Sequence, residues 1–197
     1  MFWYEDEVHQ LEKKVRSTAE VTNRTVFYGS SSIRLWKTLD HDFSGEQVLN
    51  IGFGGSTLAA CGWFFERLVL PVQPRSIVFY AGDNDLGDGR HPEEVYLFFC
   101  ALTSKMQQYM PETPFTFVAI KPSPARWHII DRIRFANHLI QQKIETLPGY
   151  HFVDVFTPML DGGGRPRWEL FDSDGLHLNR TGYTLWQQTL LQHPEIF

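Results

Sequence analysis

Five short apolar segments, separated by longer stretches with helical periodicity, limit the folds that this chain of 197 residues can adopt. Residues 76–81 (SIVFYA) are apolar nearly throughout, as a strand buried on both faces should be. Strands that alternate with helices form a parallel sheet with helices on both sides, so the pattern predicts a three-layer α/β/α sandwich. The five predicted strands are residues 25–28, 48–49, 76–81, 115–120 and 150–155.

The intervening stretches predict helices. Apolar residues recur at helical spacing within the charged residues 5–20, which indicates an amphipathic lead-in helix. No repeat, low-complexity tract or linker interrupts the sequence, so we expect a single domain over residues 1–197, with the lead-in helix of residues 1–22 packed on it. The other predicted helices are residues 31–39, 57–70, 92–110, 129–147 and 179–193.

Charge and cysteine content exclude several classes of function. The formal net charge is −5 and Lys and Arg form no run, whereas nucleic acids and anionic membrane surfaces bind clustered cations. Cys61 and Cys100 match neither a CxxC nor a zinc spacing, so we expect free thiols, no metal and no cofactor. Neither a signal-peptide pattern nor an apolar stretch of ~18 residues is present. We expect a cytoplasmic protein without integral membrane association, and either a monomer or a homo-oligomer.

Polar residues directly after the predicted strands are the first candidates for function, because ligands bind at the carboxyl ends of strands in open α/β sheets. The first strand ends in Gly29-Ser30-Ser31-Ser32. A serine at a strand-to-helix turn exposes its hydroxyl beside free backbone N–H groups. The same serines can instead cap the helix, and for the serines alone we favour capping by roughly three to one.

The next two strand ends carry glycines and an amide. Residues 52–57 (GFGGST) allow positive φ and close backbone approach, but they lack the ending of a phosphate-binding P-loop. In residues 82–89, a calcium loop would place Gly87 at a ligand position and Asp88 where glycine is required, so we reject it. Asn84 can instead donate its amide N–H to a developing oxyanion.

The last polar segment lies before the final helix. Asp174 precedes His177 by three residues, a spacing at which the carboxylate can reach the imidazole across a tight turn and fix its tautomer. The alternative is a solvated loop in which Asn179 caps the following helix.

Taken together and in this order, the four segments resemble the SGNH hydrolase superfamily, also called the GDSL family of esterases and lipases. The resembling segments are FYGSSSIRLW, NIGFGGSTL, YAGDNDLGDG and DSDGLHLN, and the resemblance runs from about Val26 to the final helix. It implies a flavodoxin-like SGNH hydrolase fold and a serine hydrolase that cleaves carboxylic esters through an acyl-enzyme.

The resemblance also implies roles for individual residues. Ser31 would be the nucleophile, His177 its general base and Asp174 the partner that orients His177. The backbone N–H groups of Ser31 and Gly55 and the side-chain amide of Asn84 would form the oxyanion hole. A serine hydroxyl is a poor nucleophile until a positioned base removes its proton, so this set is chemically coherent.

Two details of the resemblance leave alternatives open. The family usually has an acid directly before the nucleophile, where this chain has Ser30, so the way in which the nucleophile turn is braced is in question. The glycine run also allows Gly54 instead of Gly55 as the oxyanion donor, although the spacing from Asn50 favours Gly55.

The substrate is the least constrained part of the prediction. Phe53, Arg126 and Trp127 are the predicted substrate-binding residues, and packing of the loops is an equally good explanation for these side chains. A small-molecule ester, with a short acyl or acetyl group, is the expected substrate. A lysophospholipase- or thioesterase-like acylhydrolase is the alternative, as is a catalytically silent binding domain of the same fold.

Overall fold

A computed structural model describes residues 1–18 and 23–197 of the protein. Five strands form one parallel sheet in the order β2-β1-β3-β4-β5. This confirms the predicted five-stranded α/β sandwich with flavodoxin-like topology. The strands are β1 Thr25–Gly29, β2 Val48–Asn50, β3 Ser76–Tyr80, β4 Phe115–Val118 and β5 Tyr150–Val153.

The described part of the chain has eight α-helices, and seven of them cover the two faces of this sheet. Helices α1, α4, α6 and α7 pack on one face, and α2, α3 and α8 pack on the other. They are α1 Glu5–Ser17, α2 Ser31–Arg34, α3 Leu39–Asp42, α4 Leu58–Leu68, α5 Asp83–Gly87, α6 Pro92–Tyr109, α7 Ile130–Ile144 and α8 Arg180–Leu190. Short 3-10 helices are Phe2–Tyr4, Leu70–Val72, Pro124–Ile129, Thr157–Met159, Trp168–Leu170 and Pro194–Ile196.

The central strands are mostly apolar because both of their faces are covered. Every residue of β1 and of β3 is buried. Successive side chains point to opposite faces, so Val26 and Tyr28 join the core under α4 and α6, whereas Phe27 joins the core under α8. Complete burial of a side chain such as Phe27 contributes about 1.5–3 kcal/mol to stability. Buried strands therefore favour apolar residues, and the resulting apolar runs make these two strands the clearest in the sequence.

The predicted lead-in helix is present as α1, and it packs against α4. Val8 and Val15 bury its apolar face. Arg67 on α4 also binds two carboxylates of α1, Glu5 at 2.9 Å and Glu12 at 2.8 Å. The last residues of the predicted helix, residues 19–22, lie outside the described ranges.

The single helix predicted over residues 31–39 is wrong, because α2 ends at Arg34 after one turn and a second one-turn helix, α3, begins only at Leu39. The buried carboxylate of Asp42 explains the break. Its Oδ2 accepts hydrogen bonds from the indole N–H of Trp36 and the hydroxyl of Thr38, both at 2.7 Å. Side-chain bonds of this kind compete with a continuous helix and fix the connection between its two pieces.

No helix in residues 1–18 and 23–197 combines the length and the apolar composition needed to cross a bilayer.

Candidate active site

The order of the strands determines where polar groups can meet. Strands β2 and β3 lie on opposite sides of β1, so the chain leaves β1 and β3 toward opposite faces and opens a crevice at their carboxyl ends. Gly29 ends β1 with a φ of +136°, and a Cβ there would lie 1.9 Å from the carbonyl oxygen of Tyr80. Only glycine allows the two strand ends to approach in this way.

Ser31 begins α2 at this crevice, and its hydroxyl faces His177. The distance from Ser31 Oγ to His177 Nε2 is 3.2 Å, although 146 residues separate them in the chain. Ser30 occupies the cap position of α2, but its side chain makes no capping hydrogen bond in the described structure. Capping therefore does not account for the serines at this turn.

The turn after β1 is braced by the main chain of Ser30. Its N–H donates to the carbonyl of Tyr80 at 2.9 Å, and its carbonyl accepts from the N–H groups of Ile33 and Arg34 at 2.9 and 3.0 Å. Among the residues described, none pairs with the Ser30 hydroxyl. The side chain of Ser30 is therefore not what holds the turn.

Asp174 binds the other nitrogen of His177. Its Oδ2 lies 2.6 Å from His177 Nδ1, and its Oδ1 accepts from the backbone N–H groups of Leu176 and His177. Burial acts to raise the pKa of Asp174, but these hydrogen bonds outweigh it and lower the pKa to about 2. The carboxylate is therefore charged at any pH near neutrality, and the predicted Asp174–His177 contact is present. Asn179 also caps α8 through the N–H of Gly182, so the two explanations of this segment are compatible.

Asn84 lies in α5, directly after β3, and its amide is held from two sides. Its Nδ2 donates to the carbonyl of Ser56 at 3.0 Å, and its Oδ1 accepts from the guanidinium of Arg126 at 3.0 Å. These two partners define which side of the amide carries nitrogen. One N–H of Nδ2 remains after the bond to Ser56, since a carboxamide has two.

The glycine loop, residues 52–57, lies beside Asn84. The N–H of Gly54 donates to the carboxylate of Glu7 at 2.9 Å, and the carbonyl of Gly55 accepts from the hydroxyl of Tyr4 at 3.0 Å. Gly55 has a φ of +64°, and its N–H has no acceptor among the described residues. Because the N–H of Gly54 is already engaged, the geometry favours Gly55 as the free donor.

A buried ion cluster lies behind Asn84. Asp83 binds the guanidinium of Arg126 and, at 2.7 Å, the ammonium group of Lys121. Burial acts to raise the pKa of Asp83, but the charges of Lys121 and Arg126 outweigh it, so the pKa lies below its usual value. Gly87 allows Arg126 to lie here, because a Cβ at Gly87 would be 2.7 Å from the guanidinium.

The structure changes the interpretation of the predicted substrate-binding residues. Phe53 is fully buried against Tyr4 and Phe64, so it belongs to the core and offers no surface to a substrate. Arg126 directs its guanidinium to Asp83 and Asn84. The ring of Trp127 is half-buried beneath the guanidinium of Arg165, at 4.9 Å.

Sequence reasoning missed the groups that hold the site residues in place. Asp83 and Lys121 each follow a buried strand by a few residues, so opposite charges at the same sheet edge were a usable signal. Nothing comparable identified Tyr4 or Glu7, because their partners are backbone groups of residues 54 and 55.

Comparison with known proteins identifies one family for this chain. The sequence model of the GDSL-like lipase/acylhydrolase family matches residues 17–185. No curated protein matches the chain. Similar solved structures include a protein from Streptococcus pneumonia whose name refers to platelet activating factor, with a TM-score of 0.85 and 19% identity over 99% of this chain and 95% of that one.

Two further structures are more distant. A GDSL-like lipase from Bacteroides thetaiotaomicron has a TM-score of 0.81 and 19% identity over 94% of this chain and 95% of its own. A family 3 carbohydrate esterase from Clostridium thermocellum has a TM-score of 0.67 and 16% identity over 87% and 94%. At such identities the similarity establishes the fold, whereas the family match extends from before β1 into α8. The chain therefore belongs to the GDSL-like lipase/acylhydrolase family.

Proposed function

We propose that the protein is a serine esterase in which Ser31 attacks the carbonyl of a small carboxylic ester. One observation carries the proposal: a continuous chain of hydrogen bonds, 3.2 Å from Ser31 to His177 and 2.6 Å from His177 to Asp174. This is the arrangement that activates a hydroxyl for nucleophilic attack.

In the first half of the reaction, Nε2 of His177 takes the proton from Ser31 Oγ as Oγ bonds to the carbonyl carbon. The resulting oxyanion accepts hydrogen bonds from three donors, the backbone N–H groups of Ser31 and Gly55 and the free N–H of Asn84. When the intermediate collapses, the bond to the alkoxy oxygen breaks. The departing alcohol takes the proton from His177, and the acyl group stays on Ser31.

In the second half, a water molecule attacks the acyl-enzyme and His177 accepts its proton. Collapse of this intermediate releases the carboxylic acid and returns the proton to Ser31 Oγ. Asp174 stays charged throughout, since its pKa is about 2. It keeps Nε2 of His177 free to accept a proton and stabilises the imidazolium that forms in each half.

The exposure of the site favours a short acyl group. The side chains of His177 and Asp174 are 30% and 48% exposed, so the site opens directly to solvent. An open site gives a long acyl chain little apolar surface to bury, at about 25 cal/mol per Å². Short-chain or acetyl esters are therefore our first choice. A lysophospholipase- or thioesterase-like activity is the alternative, and for it the exposed Trp168 beside Gly175 would supply apolar contact.

The test combines a series of p-nitrophenyl esters, from acetate to laurate, with a fluorophosphonate probe. We expect hydrolysis that is fastest for the short esters and labelling of Ser31 alone. Ser31→Ala should abolish both, whereas the matched variant Ser30→Ala should keep both. Folded wild-type protein that neither hydrolyses any ester nor reacts with the probe would instead indicate a silent binding domain. A maximum at the long esters would favour the lipid-directed alternative.

A further inference from the structure

The N-terminal segment, residues 2–17, touches the glycine loop through two polar contacts. The hydroxyl of Tyr4 donates to the carbonyl of Gly55 at 3.0 Å, and Glu7 Oε2 accepts from the N–H of Gly54 at 2.9 Å. These contacts flank the peptide bond between Gly54 and Gly55, whose N–H is the proposed oxyanion donor. That peptide is therefore held on both sides by residues of the N-terminal segment.

Glu7 also connects the loop to the helix that carries Ser31. Its Oε1 lies 2.5 Å from Arg34 Nε, and Arg34 is the last residue of α2. A single carboxylate thus links Gly54 to the element that begins with the proposed nucleophile. A Cβ at Gly54 would lie 3.2 Å from the guanidinium of Arg34 and 3.3 Å from Glu7, so both side chains pack closely against this residue.

We infer that Tyr4 and Glu7 are positioning residues that hold the N–H of Gly55 toward the oxyanion. This inference rests on the proposed function, and it adds to the site a segment that precedes residue 17, where the family match begins. Because both residues of the Gly54–Gly55 peptide are glycines, little would restrict rotation of this peptide without these contacts. Pre-organised donors stabilise an oxyanion because they need no reorganisation during the reaction.

Other contacts dock α1 onto the protein, which allows the two roles to be separated. Val8 and Val15 bury its apolar face, and Arg67 binds Glu5 and Glu12. Those contacts lie away from the glycine loop and attach the helix to α4. The ring of Tyr4 also packs on Phe53 and Phe64, so Tyr4→Phe removes the hydroxyl while it keeps the packing.

The test compares Tyr4→Phe, Glu7→Ala and Glu7→Gln with the matched control Glu12→Ala, which loses an ion pair of α1 without touching the loop. We expect Tyr4→Phe and Glu7→Ala to lower kcat on the order of 10-fold, less than the ~10²–10³ for outright loss of a donor, with little change in KM. Glu7→Gln should recover part of the loss, because its carboxamide oxygen still accepts from Gly54. The rate of phosphonylation of Ser31 should follow kcat.

The amide exchange of Gly54, measured by NMR, reports the contact without any need for activity, and it should accelerate in Glu7→Ala but not in Glu12→Ala. Equal kcat values in the wild type, Tyr4→Phe and Glu7→Ala would overturn the inference while the proposed function stands. An equal fall in kcat for Glu12→Ala and Glu7→Ala would also overturn it, since docking of α1 would then be the cause. A wild type that is inert toward esters and probe would overturn the proposed function itself.

Discussion

Arg126 and Asn84 are joined by a hydrogen bond of 3.0 Å from the guanidinium to the side-chain oxygen of Asn84. The same guanidinium binds the buried carboxylate of Asp83, so this ion pair holds the arginine in place independently of the amide. Without this contact, the bond from Nδ2 to the carbonyl of Ser56 would be left to orient the amide of Asn84. The bonds to Ser56 and Arg126 together favour the orientation in which an N–H of Asn84 is free to donate.

Replacing Arg126 by lysine tests this relationship. Lysine keeps the charge beside Asp83, but its N–H groups all lie on one nitrogen, so it cannot reach Asp83 and Asn84 from two nitrogens as the planar guanidinium does. We expect kcat to fall about 10-fold with a smaller change in KM. Gly87→Ala should act in the same direction, because its Cβ displaces the guanidinium. Arg134→Lys, the same change at an exposed position of α7, is the control, and an Arg126→Lys variant with the same kcat as this control would contradict the role.

Removing the amide of Asn84 should have a larger effect. Asn84→Ala loses one oxyanion donor, for which a fall in kcat of ~10²–10³ is typical. Asn84→Asp should be at least as slow, because a carboxylate cannot donate and its charge repels the oxyanion. Steady-state kinetics on a p-nitrophenyl ester measure both variants. Activity of Asn84→Asp near that of the wild type would exclude Asn84 as a donor.

The low pKa of Asp174 predicts a simple pH profile. Since that pKa is about 2, Asp174 is charged over the whole range in which the protein is assayed. The rate of acylation should therefore rise with pH along a single limb, as His177 loses its proton and becomes a base. Asp174→Asn should lower kcat by ~10²–10⁴, because the imidazole loses its orientation. Asp172→Asn is the exposed neighbour for comparison, and a second acidic ionisation above about pH 4 would contradict the assignment.

The buried carboxyl group of Asp85 leads to a prediction about how the free energy of unfolding depends on pH. It is buried, its Oδ2 accepts from the N–H of Leu58 at 2.8 Å, and burial raises its pKa from 3.8 to about 6. A carboxyl group whose pKa is higher in the folded state stabilises that state fully below pH 3.8, and this stabilisation is lost as the pH rises through about 6. Asn at this position keeps an acceptor for Leu58 and has no charge to bury.

Urea unfolding between about pH 4 and pH 7 measures the effect. The free energy of unfolding of Asp85→Asn, relative to the wild type, should increase with pH over this range, by about 3 kcal/mol at most. Asp88→Asn changes an exposed carboxylate of the same segment and serves as the control. If the free energies of unfolding of Asp85→Asn and the wild type changed in parallel with pH, Asp85 would not be buried as a charged group.

The sequence predicted the parts of the fold in which buried strands and helices have a regular pattern of apolar residues. Strands β1 and β3 are fully buried, so their apolar runs identified them directly. The helix of residues 31–39 was predicted wrongly because the decisive partner, Asp42, lies beyond it in the chain. Local periodicity contains no information about such a contact.

The site residues also fall into those that local sequence signals predicted and those that depend on distant contacts. Ser31, Asn84 and His177 lie next to strand ends or a helix start, so their positions along the chain indicated that they meet. Phe53 was misassigned because an aromatic side chain in a glycine-rich loop gives no sign of which way it points, and here it enters the core. Contacts between side chains and distant backbone groups, such as Glu7 with Gly54, depend on the assembled fold.

The separation of 146 residues between Ser31 and His177 has a consequence for biosynthesis. A nascent chain still short of residue 177 has its serine turn but no imidazole to activate it, so under the proposed mechanism it is inert while ribosome-bound. Under that mechanism the protein becomes competent only when the turn that carries His177 reaches the sheet edge that carries Ser31. Premature termination before that turn would release a fragment that cannot attack esters, whatever structure it retains.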